Sequence, residues 1–390
     1  MILKNTKFLY LLTSQVLSQV TVNIMNFLLL ARLFTVTGSS IATSLLWVAY
    51  ALPAIFFAPI GAASVDFIDR RKMLMITNLL QSLTIFAYIF THQTSIFLLY
   101  FVVVVYSFLN QFYVPAENAS LPSVVPKKDL PHANSLFFIT QQAALVFGLG
   151  IAGVVQRLIG FKASLIVCSA LLFIAFLSVA FLPPLSPGKK TKRIFFLKSI
   201  LDGYLFIKNQ KLIYYPLMLI LGIQVSLSMI VVSLPAISEQ ILKVSVNYAG
   251  LLVVIPAGIG ATLGSVVVSR FLKKGFRKRT VIECSLFIVA ASIMMLMILP
   301  LYMSPILLIA AGAGFVGINI PALTFLQEIT PIDFRGRVFG NLWFLITIVT
   351  IFPVLFSGFI TEFFGVRTLL TIMSLGILSA FSYVRRWQMQ

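Results

Sequence analysis

Charge is scarce in this sequence, and acid is the scarcest part of it. Only 10% of the 390 residues are charged, against about 25% in an ordinary soluble domain. That excludes a soluble globular enzyme. Two cysteines, Cys168 and Cys284, sit inside apolar runs, and the chain has two histidines, His92 and His132. Neither a disulfide framework nor a Cys/His metal cluster can be built from them, so no metal and no cofactor is expected. No G-x-x-x-x-G-K-[ST] loop is present, so the chain carries no phosphate cradle of its own for ATP. What is plentiful is hydrocarbon: 60% of residues are hydrophobic and the mean hydropathy is +1.04. Ten acids stand against 29 Lys and Arg. A nucleic-acid partner is not inferred from that excess, because the cations lie between apolar runs too long for a soluble fold.

A helix that crosses a bilayer needs about 20 apolar residues. Twelve such runs can be counted, at 8–33, 41–64, 73–92, 95–118, 135–157, 162–183, 213–237, 247–271, 280–302, 305–328, 338–361 and 366–385. The expected fold is an all-α membrane protein of twelve transmembrane helices in two six-helix bundles. The first run follows the basic start MILKNTK and is too long for a signal-peptide core, so it reads as a retained helix. Cytoplasmic segments retain Lys and Arg. Placing both termini inside puts Arg70, Arg71, Lys72, the seven cations from Lys189 to Lys211 and the six from Arg270 to Arg279 on that side. The basic excess is then a topology signal in a multi-pass protein of the cell membrane.

The stretch from Pro183 to Lys211 divides the chain and reads as a linker with a short amphipathic helix. The expected domains are 1–183, a cytoplasmic linker 184–212, and 213–390. The halves repeat one another. Gly61, five residues before Asp66, corresponds to Gly264 at an offset of 203, and Pro115-Ala116 to Pro321-Ala322 at an offset of 206. Transporters built on such repeats hold substrate between the halves near the bilayer midplane.

Few residues could carry chemistry. The segment GAASVDFIDRRKMLM joins Asp66 and Asp69 to Arg70, Arg71 and Lys72 beside a helix start. An acid there is stabilised by the helix dipole, and the cluster is either a capped loop or a set of charges that exchange partners when helices move. In the first run Gln15, Gln19, Asn23 and Asn26 are spaced 4, 4 and 3 apart along one face. Amides are costly in hydrocarbon, so the stripe faces the bundle interior, either to bond a neighbouring helix or to wall a wet cavity. Tyr106, Asn110, Gln224, Asn319, Trp343 and Thr347 complete the expected wall. The acids all lie in loops or near run ends. Glu117 and Glu328, with Asp66 third, are the candidates for proton coupling, unless loop cations pair with them. For Glu328 those cations would be Arg335 or Arg337, and Glu283 lies one turn from Arg279. Gly148, Gly150, Ala152 and Gly153 of the fifth run permit close packing, with Gly260 and Gly264 of the eighth as the expected partner.

The Asp66 segment resembles the signature cytoplasmic loop of the major facilitator superfamily, Gly-x-x-x-Asp before basic residues. The blocks from Pro115 to Leu136 and from Leu326 to Asn341, with the turn Thr37 to Ser40, resemble its macrolide-efflux branch. The resemblance implies that Asp66 latches a cytoplasmic gate, with Asp69, Arg70 and Arg71 on one side and Arg335, Gly336 and Arg337 as the corresponding block. Arg70 and Arg71 would hold the first half through charge contacts and helix dipoles. Ala62 stands where the family glycine is expected, Phe67 replaces an arginine, Leu149 replaces a proline in the exporter signature, and the fourth run lacks the arginine of many proton-coupled relatives.

A cavity without a central charge, lined by amides and aromatics, suits a bulky amphiphile. The expectation is a monomeric secondary transporter exporting amphiphilic, macrolide-like small molecules by alternating access in exchange for protons. The alternative is export of a siderophore or lipid-like metabolite, which basic residues at mid-helix would favour. A membrane-embedded enzyme would need convergent His, Asp or Glu at membrane depth, and a passive channel would ignore the proton gradient.

Overall fold

A computed structural model describes residues 4–91, 95–185 and 211–385; the side chains at 127, 211, 332–337, 339–341, 343–344 and 382–385 are outside that description. In hydrocarbon a backbone must bond to itself, and an α-helix does so within one segment. The described chain is accordingly helical: α1 (Thr6–Thr37), α2 (Ser40–Ser64), α3 (Arg70–Thr91), α4 (Ile96–Val124), α5 (Leu130–Ala180), α6 (Lys211–Val232), α7 (Ile255–Lys273), α8 (Lys278–Leu296), α9 (Ser304–Ile329) and α10 (Ile332–Arg385). π-Helical turns at Ile237–Ile241 and Gly250–Val254 precede α7. Ten helices among the described residues are long and apolar enough to cross a bilayer.

Two of the ten are far longer than a bilayer needs. α5 has 51 residues and α10 has 54, about 75–80 Å at 1.5 Å per residue, against about 30 Å of hydrocarbon. Each breaks at a glycine, Gly160 (φ 83°, ψ 163°) and Gly365 (φ 81°, ψ 157°). Only glycine adopts that conformation without strain, so the helix breaks there with no loop. The sequence predicts separate runs at 135–157 and 162–183, and at 338–361 and 366–385; the breaks fall between the members of each pair. The two glycines lie 205 residues apart with nearly the same dihedrals. The amide oxygen of Gln240 accepts from the Val366 N–H at 3.1 Å, satisfying a donor freed by the second break.

The chain divides into two compact units, Met1–Thr37 with Leu46–Arg193, and Gly38–Leu45 with Ile194–Gln390. The linker expected at 184–212 lies, over 186–210, outside the described residues. In the first unit α1 packs along α5, and α3 packs against α4 and α5. Phe8, Leu11, Leu74, Tyr113 and Ala116 are at the centre of its core. In the second, α9 packs against α7 and α8, and α10 against α6 and α8.

Close helix contacts repeat between the units. A Cβ on Gly61 would lie 2.0 Å from the Gln111 carbonyl oxygen, and one on Gly264 2.6 Å from the Ala313 Cα. The glycine pair is offset by 203 residues and their partners by 202, so α2 meets α4 as α7 meets α9. The first turn of α2 belongs to the second unit, where Glu362 serves as its cap. The Glu362 carboxylate accepts from the Ser40 N–H at 2.6 Å, the Ile41 N–H at 3.2 Å and the Ser39 hydroxyl at 3.0 Å. These are the unsatisfied donors of a helix start, and a carboxylate also complements its dipole.

Replacing Gly160 or Gly365 by Ala is expected to destabilise the protein by about 1–3 kcal/mol each, read as a lower melting temperature. Gly38 has φ 64° and open space around it; Gly38→Asn there is expected to change stability little, since Asn tolerates that region.

Candidate functional site

The segment after α2 is built as a bracket inside the first unit. Asp69 caps α3: its Oδ1 accepts from the Arg71 N–H at 2.9 Å and the Lys72 N–H at 3.3 Å. The Leu185 N–H reaches the same oxygen at 3.4 Å. Arg70 donates to the Ala119 carbonyl at 2.8 Å and the Ser123 hydroxyl at 3.3 Å in the last turns of α4. Arg71 donates to the carbonyl of Ala180, the last residue of α5. Two guanidinium groups thus sit at the negative ends of two helices. Asp66 is exposed in the turn between α2 and α3. Arg335, Gly336 and Arg337 lie in the first turn and a half of α10, and their side chains are outside the described residues.

The acids separate sharply by environment. Glu328 pairs with Lys278, at side-chain exposures of 54% and 26%. Among the described residues its partner is therefore on α8, because Lys278 starts the helix packed beside the end of α9; the Arg335 and Arg337 side chains expected beside it lie outside the described residues. Glu283 pairs with Arg279 at 2.9 Å, one turn away as expected. Glu117 is different: it is 4% exposed within α4, which runs on through Pro122 to Val124, beyond the run end predicted at 118. Its Oε1 accepts a hydrogen bond from the Tyr113 hydroxyl at 3.0 Å. Tyr113 contacts the Ser14 hydroxyl at 3.2 Å, and Ser14 accepts from the Asn78 amide at 3.0 Å.

This relay, Asn78 to Ser14 to Tyr113 to Glu117, joins α3, α1 and α4, and every member is buried. With Asn78 Nδ2 as the terminal donor, each bond points toward the carboxylate, the arrangement an ionised Glu117 requires. A protonated Glu117 would donate instead, and the chain would reverse until it met an acceptor on Asn78. Asn78 Oδ1 is buried and without a hydrogen-bond partner among the described residues, as are Thr21 Oγ1 and Gln81 Oε1. Ser14, Ser18 and Thr21 recur at spacings of 4 and 3 on α1, a polar stripe adjacent to the amide stripe. The sequence held that signal, but serine and threonine pass unnoticed in a membrane helix because they also bond their own backbone.

The amide stripe divides along α1. Gln15 is 2% exposed and bonded at both ends of its amide: it donates to the Phe137 carbonyl at 2.9 Å and accepts from the Thr140 hydroxyl at 2.8 Å. It ties α1 to α5. Asn23 donates to the Gln19 carbonyl at 2.8 Å and lies under Gly148, where an added Cβ would approach the Asn23 Cβ to 2.6 Å. The open side of Gly148 is thus taken by α1. Gly260 and Gly264 press on Ile309 and Ala313 of α9. Within each unit these glycines seat a neighbouring helix of that same unit.

Further along, Asn26 accepts from the Tyr106 hydroxyl. Tyr106 packs against Tyr50 at 5.8 Å between ring centroids, and Tyr50 against Trp47 at 5.9 Å. Asn110 lies one turn from Tyr106, and its Oδ1 has no hydrogen-bond partner among the described residues. These residues form one aromatic and amide patch without a charge. Gln224, Asn319 and Thr347 are half-buried in α6, α9 and α10 of the second unit, and the Trp343 side chain is outside the described residues.

The comparisons with known proteins fit this construction. The Major Facilitator Superfamily profile matches residues 11–353. The chain is similar to the uncharacterized MFS-type transporter YfiS of Bacillus subtilis (strain 168), 23% identical with 91% of this chain and 87% of that one covered. It is also similar to YfmI of the same organism, 24% identical with 94% and 92% covered. Among solved structures, a bacterial homologue of the iron transporter ferroportin in its inward-facing state superposes with a TM-score of 0.77 at 13% identity, over the whole of both chains. The nucleoside transporter NupG gives 0.73 at 15% identity over 97% of this chain and 100% of that one. The chain belongs to the major facilitator superfamily, and is thus a multi-pass secondary transporter and not an enzyme.

Proposed function

We propose that this transporter exports amphiphilic small molecules, macrolide-like drugs among them, from the cytoplasm by alternating access in exchange for protons. In this reading it crosses the cell membrane twelve times as a monomer, with both termini cytoplasmic. α5 and α10 each cross twice, and the halves are 1–183 and 213–390. The observation that carries it is Glu117, a carboxyl buried in a membrane helix whose hydrogen-bond partner among the described residues is the neutral Tyr113. A carboxyl so placed is stable only when it is protonated or held by donors, and it can alternate between the two. Glu328 is exposed and ion-paired and Asp66 is exposed, so neither offers a comparable site.

The cargo wall in this reading is, in the first unit, the patch of Trp47, Tyr50, Tyr106, Asn26 and Asn110; Gln224, Asn319 and Thr347 are the polar candidates that the second unit offers. Its lack of charge favours a bulky amphiphile over an anion, and hence a drug-like cargo over a siderophore. Asp69, Arg70 and Arg71 would act as the gate bracket, because releasing Arg70 or Arg71 uncovers helix-end carbonyls that must find new partners. The described side chains do not include Arg335 and Arg337, whose part in the gate rests on the resemblance.

Cells lacking other efflux pumps are expected to accumulate less labelled erythromycin when they express this protein. A protonophore and Glu117→Gln should each restore accumulation to the level of the empty vector; unchanged export by verified, membrane-inserted Glu117→Gln would contradict the assignment. Combining Tyr113→Phe with Ser14→Ala removes the Tyr113 donor to the charged group and the hydroxyl behind it, a hydrogen bond to a charge contributing about 1.5–3 kcal/mol. Proton-driven export in that variant is expected to fall by about tenfold or more. Proton-independent exchange of cargo across the membrane should persist.

A further inference from the structure

In the first unit, four helix segments are joined by side chains. Asn78 of α3 and Tyr113 of α4 both bond Ser14 of α1, Ser82 of α3 bonds Ser169 in the second segment of α5, and Ser178 of that segment donates to the Tyr10 carbonyl of α1. Their counterparts in the chain repeat are α6, α8, α9 and the second segment of α10. There, among the described residues, the structure holds an apolar groove of about 250 Å³.

The groove has a wall, a floor and a mouth. Leu286 and Val289 of α8 and Ile318 of α9 form the floor, at 3%, 0% and 1% exposure. At the mouth, Met218 of α6 and Ile372 of α10 are each 48% exposed. Gly222 and Gly376 open the wall between them, and a Cβ built on either would meet nothing within 4 Å. Both glycines lie near the middle of their spans. The groove lining contains no charged residue, and its one polar side chain, Ser226, already donates to the Gly222 carbonyl at 2.8 Å. Water would find almost no partner in it.

We propose that this groove is a binding site for the end of a single lipid acyl chain from the surrounding bilayer. The groove opens on an apolar surface of two membrane-spanning helices, so what lies against the mouth is hydrocarbon. An empty groove of this size would forfeit the dispersion contacts of its floor, and an entering chain restores them. The lining of α6 recurs from Met218 to Met229, about 16 Å along the helix axis, so the groove is long in the direction that bilayer chains take. Mid-span depth is where the ends of acyl chains lie. The proposal is independent of the cargo and coupling ion assigned above.

The test is photolabelling of the purified full-length protein in phosphatidylcholine vesicles that carry a diazirine at the terminal acyl carbon, followed by peptide mapping. Label is expected on Leu286, Val289 and Ile318, which lipid outside the groove cannot reach. In the double variant Gly222→Leu, Gly376→Leu the floor label should fall at least fivefold. Label on Phe287, 62% exposed on the same helix, should not change and reports an intact fold. Should that variant fail to insert, the wild type labelled with a lipid whose diazirine sits on a bulky ring serves instead, and its floor label should be lost. Floor label absent from the wild type, unchanged on filling the groove, equal for the bulky ring, or displaced by erythromycin would overturn the proposal.

Discussion

Every polar group that enters hydrocarbon must be satisfied by the chain itself, and this structure is a set of answers to that demand. Backbone groups are answered by helices. Helix ends are answered by charges: Arg70 and Arg71 at the ends of α4 and α5, and Glu362 at the start of α2. Some side-chain amides and hydroxyls are answered by a neighbouring helix, as in the bonds of Gln15 to the Phe137 carbonyl and the Thr140 hydroxyl, while Asn78 Oδ1 and Gln81 Oε1 stay open among the described residues. Glu117 is the place where the answer has two forms, since a carboxyl can accept from Tyr113 or, when protonated, donate to it. A group with two satisfied states is what a coupling ion needs.

The fold was legible in the sequence because hydropathy and length decide it. The repeat was legible at Gly61 with Gly264 and at Pro115 with Pro321. The breaks at 157–162 and 361–366 were legible as gaps between apolar runs, but that a single glycine makes each of them, Gly160 and Gly365, was not, because one glycine between two apolar runs looks the same whether the chain bends or loops. Its φ depends on packing around it, such as Gln240 reaching Val366 N–H.

The site was legible only in part. Periodicity placed Gln15, Gln19, Asn23 and Asn26 on one face of α1, but which helix occupies that face is decided by tertiary packing, and α5 takes the amide of Gln15. Glutamates 117 and 328 end repeat-related runs and are equivalent as letters. The difference between them is that Lys278 stands beside one and Tyr113 beside the other. The hydroxyl stripe of Ser14, Ser18 and Thr21 gains meaning only when Asn78 and Tyr113 are brought against it from α3 and α4. In the second unit the corresponding helices carry apolar residues and two glycines, and the outcome is the groove, which no periodicity predicts.

The central claim is that Glu117 takes up and releases the coupling proton within the bundle. Infrared difference titration of the purified protein in lipid tests it directly, because a protonated carboxyl buried in an apolar setting has its own C=O stretch. The account predicts a carboxyl band that grows and fades with pH, is lost in Glu117→Gln and is altered in Tyr113→Phe. A titrating band that survives Glu117→Gln unchanged would place the proton elsewhere and contradict it.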